Sequence, residues 1–336
     1  MEIFLTDYLV NNVYKTKKTL KKQLVNLESV FGDAFTRELT VDSVKKRKST
    51  IEKYRCILNH LLTLPKVEQR SEEWYCIRKN LITASDFAQA VGKGKFGTVN
   101  QFYKTKCGYE QNNVDMTIPA LKWGVRYEEV ANMFYKNKMN VEVHEFGILK
   151  HPEIDFIGAS PDGISDMGIM LEIKCPWKRK KTETIPDQYY YQIQGQLEVC
   201  KLEECDYLEC YIEEYYDRDE MKHNTTSLYK GVIYEVKLNV FEYGKLNDLD
   251  YERMEGTYIN VYYYGIKDYF LRRVYRDKEF FQVIIVQIEN VWKKVVEFRA
   301  DETLYRNSVK TNSRAISKKP KNKGVLMFRE CVGDSI

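Results

Sequence analysis

Glycine and proline are scarce, 17 and 7 in 336 residues, which excludes collagen-like, mucin-like and wholly disordered chains. Long apolar runs are missing too. The longest uninterrupted aliphatic stretch is Val283 to Val286, against the ~20 residues a helix needs to cross a bilayer. The opening MEIFLTDYLVNNVYK lacks the apolar block and the small-residue cleavage site of a signal peptide, so an intracellular chain is expected. Charge of one sign is not in excess: Lys+Arg 53 against Asp+Glu 49 leaves only +4, and a nucleic-acid partner would have to be held by local basic patches. The 8 cysteines contain no CxxC pair, and the even 200/205/210 spacing suits neither zinc nor a disulfide framework, so they read as free thiols. Histidines at 60, 144, 151 and 223 form no HxxxH or HExxH pair, and a metal here would need carboxylate ligands.

What is present is a globular composition, 43% hydrophobic and 13% aromatic. Residues 1–66 read as helical, with apolar positions at helical spacing in Leu20, Leu24, Leu27 and Val30 and again in Ile51, Tyr54, Ile57, Leu58, Leu61 and Leu62. Lys45-Lys46-Arg47-Lys48 between them fits a nuclear import signal, a phosphate-contacting patch or a solvated helix face. From 67 onward short helices are expected after Ser71 and Thr83, then at 98–107 and 118–138. The period then switches to two. Strands are expected at 141–149, 155–159, 169–175, 206–216, 229–240 and near 258–264, with a helix inserted at about 187–201 and an amphipathic one at 277–298. This order predicts an α/β or α+β core with a mostly antiparallel sheet. The expected divisions are a helical N-terminal extension, 1–66, a core, 67–305, and a basic mobile tail, 306–336, carrying Lys310, Arg314, Lys318, Lys319, Lys321 and Lys323 without an acid among them.

The strongest chemical signal is Ser160-Pro161-Asp162-Gly163 followed by Leu171-Glu172-Ile173-Lys174. Asp162 sits at a turn after a strand. Glu172 and Lys174, two apart on the next strand, project from one face of the sheet. Two carboxylates and an ammonium can therefore converge, the parts that phosphodiester hydrolysis with hard divalent cations requires. A surface turn beside a salt-bridged strand face would give the same spacing. Glu128, on the preceding helix, offers a third carboxylate. Gln188, Gln192 and Gln196 form one polar helix stripe able to hydrogen-bond a water or the strand's carboxylate, or to face solvent as simple surface glutamines. Gly92 to Val99 fits G-x-G-x-x-G-x-V, but it follows a helix and no other kinase motif accompanies it, so it reads as a flexible basic loop.

The succession RSEEWYCIRKNLITASDF, LKWGVRYEEVANMF, SPDG, LEIKCP and YYYQIQGQLEVC resembles the lambda-exonuclease family, the YqaJ-type viral recombinases, within the PD-(D/E)XK nuclease superfamily. The resemblance spans roughly 69–215. It reaches more weakly to about 298, where YFLRRVYRDKEFF is similar to the end of the core in exonucleases of large DNA viruses. It implies a restriction-endonuclease-like core with a central mixed sheet flanked by helices. It further implies a Mg2+-dependent 5′-to-3′ exonuclease on linear double-stranded DNA, leaving 3′ single strands for recombination or repair. An endonuclease on the same fold and a nuclease-dead DNA-binding protein are the alternatives.

By residue, the resemblance implies that Asp162, Glu172 and Glu128 bind metal, two Mg2+ ions with Mn2+ able to substitute. Lys174 would orient or activate the attacking water, and Gln192 would support the site. Arg78 and Ser85 match residues that hold the terminal 5′ phosphate, and one of Lys178, Arg179 and Lys180 would add a phosphate contact. Implied partners are DNA ends, a single-strand annealing protein and further copies of the chain, with no membrane; the place of action, if viral, is the host cytoplasm or nucleus. The loop 108–117 and the segment after 216 differ in length from the phage enzyme, which leaves the oligomeric state open.

Overall fold

The computed structural model describes residues 2–13, 18–24, 39–110, 118–253 and 256–317. Leu27, Val30 and the basic positions from Lys318 onward lie outside them. The N-terminal part holds α1 (Glu2–Tyr8), continued by a π-turn at Leu9–Val13, a helical stretch at 18–24 and the long α2 (Val41–Leu62). Thr40 starts α2 because its hydroxyl accepts from the Ser43 N–H while the Ser43 hydroxyl accepts from the Thr40 N–H, a reciprocal capping box. Then come α3 (Glu72–Lys79), β1 (Ile82–Thr83), α4 (Phe87–Ala90), α5 (Val99–Cys107) and α6 (Pro119–Met139). The strands β2 (Val143–His144), β3 (Leu149–Lys150), β4 (Ile157–Ala159), β5 (Gly163–Ser165) and β6 (Met170–Lys174) lead to α7 (Asp187–Cys200) and β7 (Glu204–Tyr215). The rest is α8 (Arg218–His223), β8 (Tyr229–Lys237), β9 (Val240–Tyr243), β10 (Asn260–Tyr275), α9 (Lys278–Ala300) and α10 (Glu302–Ser317).

Among the described residues one sheet runs β2-β5-β6-β7-β10-β8-β9 and a smaller one β1-β4-β3. The pairing within the large sheet is antiparallel except between β6 and β7, where Lys174 lies opposite Glu209 in parallel register and α7 makes the crossover. Helices cover both faces. Met170, Cys205 and Tyr207 pack towards α7 and α9, while Leu171, Ile173, Leu208 and Cys210 pack towards α6 and the N-terminal helices. The protein is thus a mixed α/β fold with a central sheet flanked by helices. No helix among the described residues is long and apolar enough to cross a membrane.

Three local differences from the expected elements have physical causes. The expected strand 141–149 is two short strands, because the chain must pass under residue 67: a Cβ on Gly147 would lie 1.7 Å from the Val67 carbonyl oxygen. The strand expected near 258–264 continues to Tyr275, past a bulge between Ile266 and Asp268. Its charged residues hide the two-residue period: Lys181 holds Asp268 at 2.6 Å, and Arg273 is buried in an ion network. Finally, α10 occupies the first part of the segment expected to be a mobile tail, since residues 302–317 keep one helical run beyond the Asp301 break.

The N-terminal helices are not peripheral. Arg47 hydrogen-bonds Asp7 Oδ1 at 2.5 Å and Glu204 Oε2 at 2.7 Å. Arg273 binds Asp206 Oδ1 at 2.5 Å and Asp7 Oδ2 at 3.0 Å, and also reaches Glu204. Tyr54 and Tyr135 donate to Glu204 and Asp206 at 2.9 and 2.7 Å. Three carboxylates and two guanidinium groups are therefore buried and mutually satisfied, as charges without water must be. Arg47 accordingly turns inward, away from its neighbours in the Lys45–Lys48 cluster.

Candidate active site

The turn from β4 into β5 and the strand β6 bring the Asp162, Glu172 and Lys174 side chains to one end of the sheet. Asp162 Oδ2 accepts from the Ile173 N–H at 2.6 Å, which ties the turn to the strand. Glu172 is fully buried, contrary to a surface strand face. Its Oε1 accepts from Lys174 Nζ and, at 2.8 Å, from Gln192 Nε2; its Oε2 accepts from Gln196 Nε2, also at 2.8 Å. Two of the three stripe glutamines thus point at the carboxylate. The third, Gln188, accepts from the Lys95 N–H at 3.2 Å and fixes the glycine-rich loop instead.

Burial and then the charge of Glu172 push the Asp162 carboxyl well above the ordinary carboxylate range. Enclosure likewise raises Glu128, with Arg70 and Lys174 opposing. Burial would lower Lys174, but Glu172 and Asp162 override it and hold the ammonium above its usual range. Its Nζ also lies 5.1 Å from the Tyr189 ring centre. Carboxylate oxygens are the donors that hard divalent cations take, and a cation bound here would offset the mutual repulsion that helps to raise Asp162. In this arrangement the three carboxylates do not close on a common point: among the described residues no group of three or more His, Cys, Asp or Glu side chains is drawn together to hold an ion.

Asp162 and Glu128 line a cleft of about 680 Å3 with Gln69, Arg70, Glu145 and Phe241. A second cleft of about 680 Å3 is lined by Arg78, Trp74, Tyr75, Lys79, Phe96 and Lys106. The two share Arg70 and Val125. Arg78 and Ser85 are brought together, Nη2 donating to the hydroxyl at 3.3 Å, and the Arg78 guanidinium lies 4.4 Å over the Trp74 ring. Beneath them Lys106 Nζ donates to the carbonyls of Arg78 and Leu81 at 3.0 and 2.7 Å and pairs with Asp86 at 2.8 Å. Trp74 Nε1 donates to Ser160 Oγ at 3.1 Å, linking this wall to the Asp162 turn.

The three basic residues after the 175–176 turn separate by environment. Arg179 is held by Glu209 at 2.6 Å and reaches the Tyr189 hydroxyl at 3.4 Å. Lys178 and Lys180 are exposed, and Lys178 Nζ lies 4.1 Å over the Trp177 ring. Arg70 and Glu209 are not expected at the site from the sequence motifs. Arg70 had a signal, standing four residues before Trp74 and eight before Arg78. Glu209 had none, because its strand register opposite Lys174 is not written locally.

Residues 73–203 match the YqaJ-like viral recombinase domain family. An uncharacterized protein of Acanthamoeba polyphaga mimivirus is 31% identical over 193 residues, 52% of this chain and 35% of that protein, so the chain spans about a third of this relative's length. Among solved structures, an alkaline exonuclease from Laribacter hongkongensis is 21% identical, covering 72% of this chain and 100% of its own, with a TM-score of 0.45. A phage-related exonuclease from Haemophilus somnus 129PT is 13% identical, covering 66% and 96%, with a TM-score of 0.42. Across residues 73–203, the stretch holding Asp162, Glu172, Lys174, Glu128, Gln192, Arg78 and Ser85, the chain is similar to the YqaJ-like viral recombinase domain that its motifs resembled.

Proposed function

We propose that this chain is a divalent-metal-dependent exodeoxyribonuclease that digests linear duplex DNA from 5′ ends and leaves 3′ single strands for viral recombination or repair. The observation that carries the reading is that two neighbouring clefts, one bearing Asp162 and Glu128 and the other bearing Arg78, share Arg70 and Val125 in their walls. A strand whose terminal phosphate rests at Arg78 can present its first internucleotide bond to the carboxylates. The match to a viral recombinase domain supports the same reading.

In this reading Asp162, Glu172 and Glu128 would hold Mg2+, which when bound would supply Lewis-acid polarisation of the phosphate and acidify a water. Lys174, kept protonated beside Glu172, orients that water and offsets charge developing on the phosphate. Gln192 and Gln196 keep Glu172 aimed. Arg78 grips the terminal phosphate dianion with its guanidinium fork, Ser85 adds a hydroxyl, and an exposed Lys178 or Lys180 adds a contact further along. A single-strand annealing protein would take the exposed 3′ strand.

The test compares closed plasmid with linear duplex carrying either a 5′ phosphate or a 5′ hydroxyl, in Mg2+. Linear 5′-phosphorylated DNA should be degraded fastest, and Arg78→Ala should slow that substrate alone. Asp162→Ala and Glu172→Ala should abolish cleavage while retaining DNA binding in EDTA. Early release of internal fragments from closed circles, or equal rates on both end chemistries, would replace this reading with an endonuclease.

A further inference from the structure

We propose that Arg70 is a substrate-contacting residue that holds the first internucleotide phosphate, the bond to be cut; this assignment rests on the nuclease reading above. Among the residues lining the two clefts, Arg70 is the charged one common to both. Its side chain is 51% exposed, and among the described residues its guanidinium makes one long contact, Nη2 to Glu128 Oε2 at 3.4 Å. A guanidinium carries five N–H donors in a rigid fork. One contact leaves most of that fork open towards the junction, where a phosphate with two non-bridging oxygens fits it in a way that a compact ammonium would not.

The backbone fixes this position. Arg70 has φ +67°, a left-handed conformation that side-chain-bearing residues rarely adopt, and its neighbours hold it there. Gln69 Nε2 donates to the Phe146 carbonyl at 2.8 Å, and Ser71 Oγ accepts from the Trp74 N–H at 3.1 Å to start α3. A strained residue kept by anchors on both sides is the pattern of a position held for its side chain. Trp74 and Arg78 continue from it along α3, so a terminal phosphate at Arg78 and the carboxylates at Asp162 stand on either side of the Arg70 fork. Glu128 aims that fork without saturating it.

The experiment measures equilibrium binding of the full chain in EDTA, by fluorescence anisotropy, to two 5′-phosphorylated duplexes. One is unmodified; the other carries an uncharged methylphosphonate at the first internucleotide linkage. The unmutated protein should bind the unmodified duplex about tenfold more tightly, the scale of a charge-assisted hydrogen bond. In Arg70→Ala that ratio should fall to about twofold or less, and Arg70→Lys should keep an intermediate ratio as a single point charge. A ratio that survives Arg70→Ala undiminished overturns the assignment. So does an equal loss of affinity for both duplexes, which would mean that Arg70 acts only as cleft charge or as a brace for Glu128. A methylphosphonate at the fifth linkage should have no Arg70-dependent effect, and finding one also overturns it. A third duplex with a 5′ hydroxyl separates the two readings: if the unmutated protein binds it as tightly as the phosphorylated one, the nuclease reading falls first; if it discriminates between them and the methylphosphonate ratio is the same in Arg70→Ala, only Arg70 is misassigned.

Discussion

Gln196, 1% exposed on α7, donates to Oε2 of Glu172, itself 0% exposed on β6, across 2.8 Å. A buried carboxylate whose two oxygens are met by different helix glutamines cannot rotate without losing a hydrogen bond. The helix therefore sets the direction in which Glu172 presents its remaining lone pairs.

Removing that partner leaves a buried charge short of one donor. Gln196→Leu should lower stability by about 1–3 kcal/mol and reduce kcat of DNA cleavage with little change in DNA affinity. Chemical denaturation and steady-state rates check this together; unchanged stability with unchanged kcat would remove Gln196 from the site.

Glu198 gives a prediction in pH. Burial would raise its carboxyl, but hydrogen bonds from Lys201 at 2.8 Å and Arg276 at 2.5 Å override burial and bring it to about 2. A pKa lower in the folded than in the unfolded chain means that the unfolded state binds more protons as pH falls. The stabilisation is therefore present above the unfolded carboxylate range and is lost between roughly pH 4.5 and 2. Tm measured down through that window should fall less steeply in Glu198→Gln than in the unmutated protein, and parallel curves would contradict the assignment.

The ion network under the N-terminal helices should be sensitive to removal of one member. Arg273→Ala leaves Asp206, Glu204 and Asp7 buried with less positive charge among them, and about 3 kcal/mol or more of stability should be lost. Replacing Glu204 by Gln should cost less, because the set already holds one more carboxylate than guanidinium. Urea denaturation of the two variants ranks them, and a larger loss for Glu204→Gln would refute this charge balance.

Gly147 bears on the wall of the Asp162 cleft. The Val67 carbonyl fills the place of its missing side chain, so Gly147→Ala must displace the 66–70 strap that lines the Asp162 cleft. Cleavage should drop by an order of magnitude or so, as positioning errors near 1 Å do, with a lower Tm. Full activity would show the strap to be dispensable.

Much of this was legible in the sequence because it is local. The amphipathic helix expected at 277–298 is Lys278–Ala300, its start marked by Asp277, whose carboxylate accepts from the Phe280 N–H at 2.9 Å. The two-residue spacing of Glu172 and Lys174 suffices to put both on one sheet face. Arg70 was only half legible as a site residue: its spacing to Trp74 and Arg78 is local, but its place in the site depends on a left-handed backbone and on a cleft wall contributed by residues up to 173 positions away. The choice among Lys178, Arg179 and Lys180 was open for the same reason, since the partner that withdraws Arg179 comes from a neighbouring strand. Asp7 and Arg47 carry no local mark of burial at all, because their compensating charges arrive from β7 and β10.

That last pairing sets an order of events during synthesis. Asp7 and Arg273 are 266 positions apart, so the first helix to leave the ribosome waits for β10, the last strand among the described residues, before its carboxylate finds both cations. Until then the N-terminal helices have only the β6–β7 part of the sheet to cover, and the Asp162–Glu172 pair stands in a fold that is not yet closed. A ribosome-arrested chain ending before residue 260 should accordingly be cleaved by protease within α2, and one extended past Tyr275 should resist.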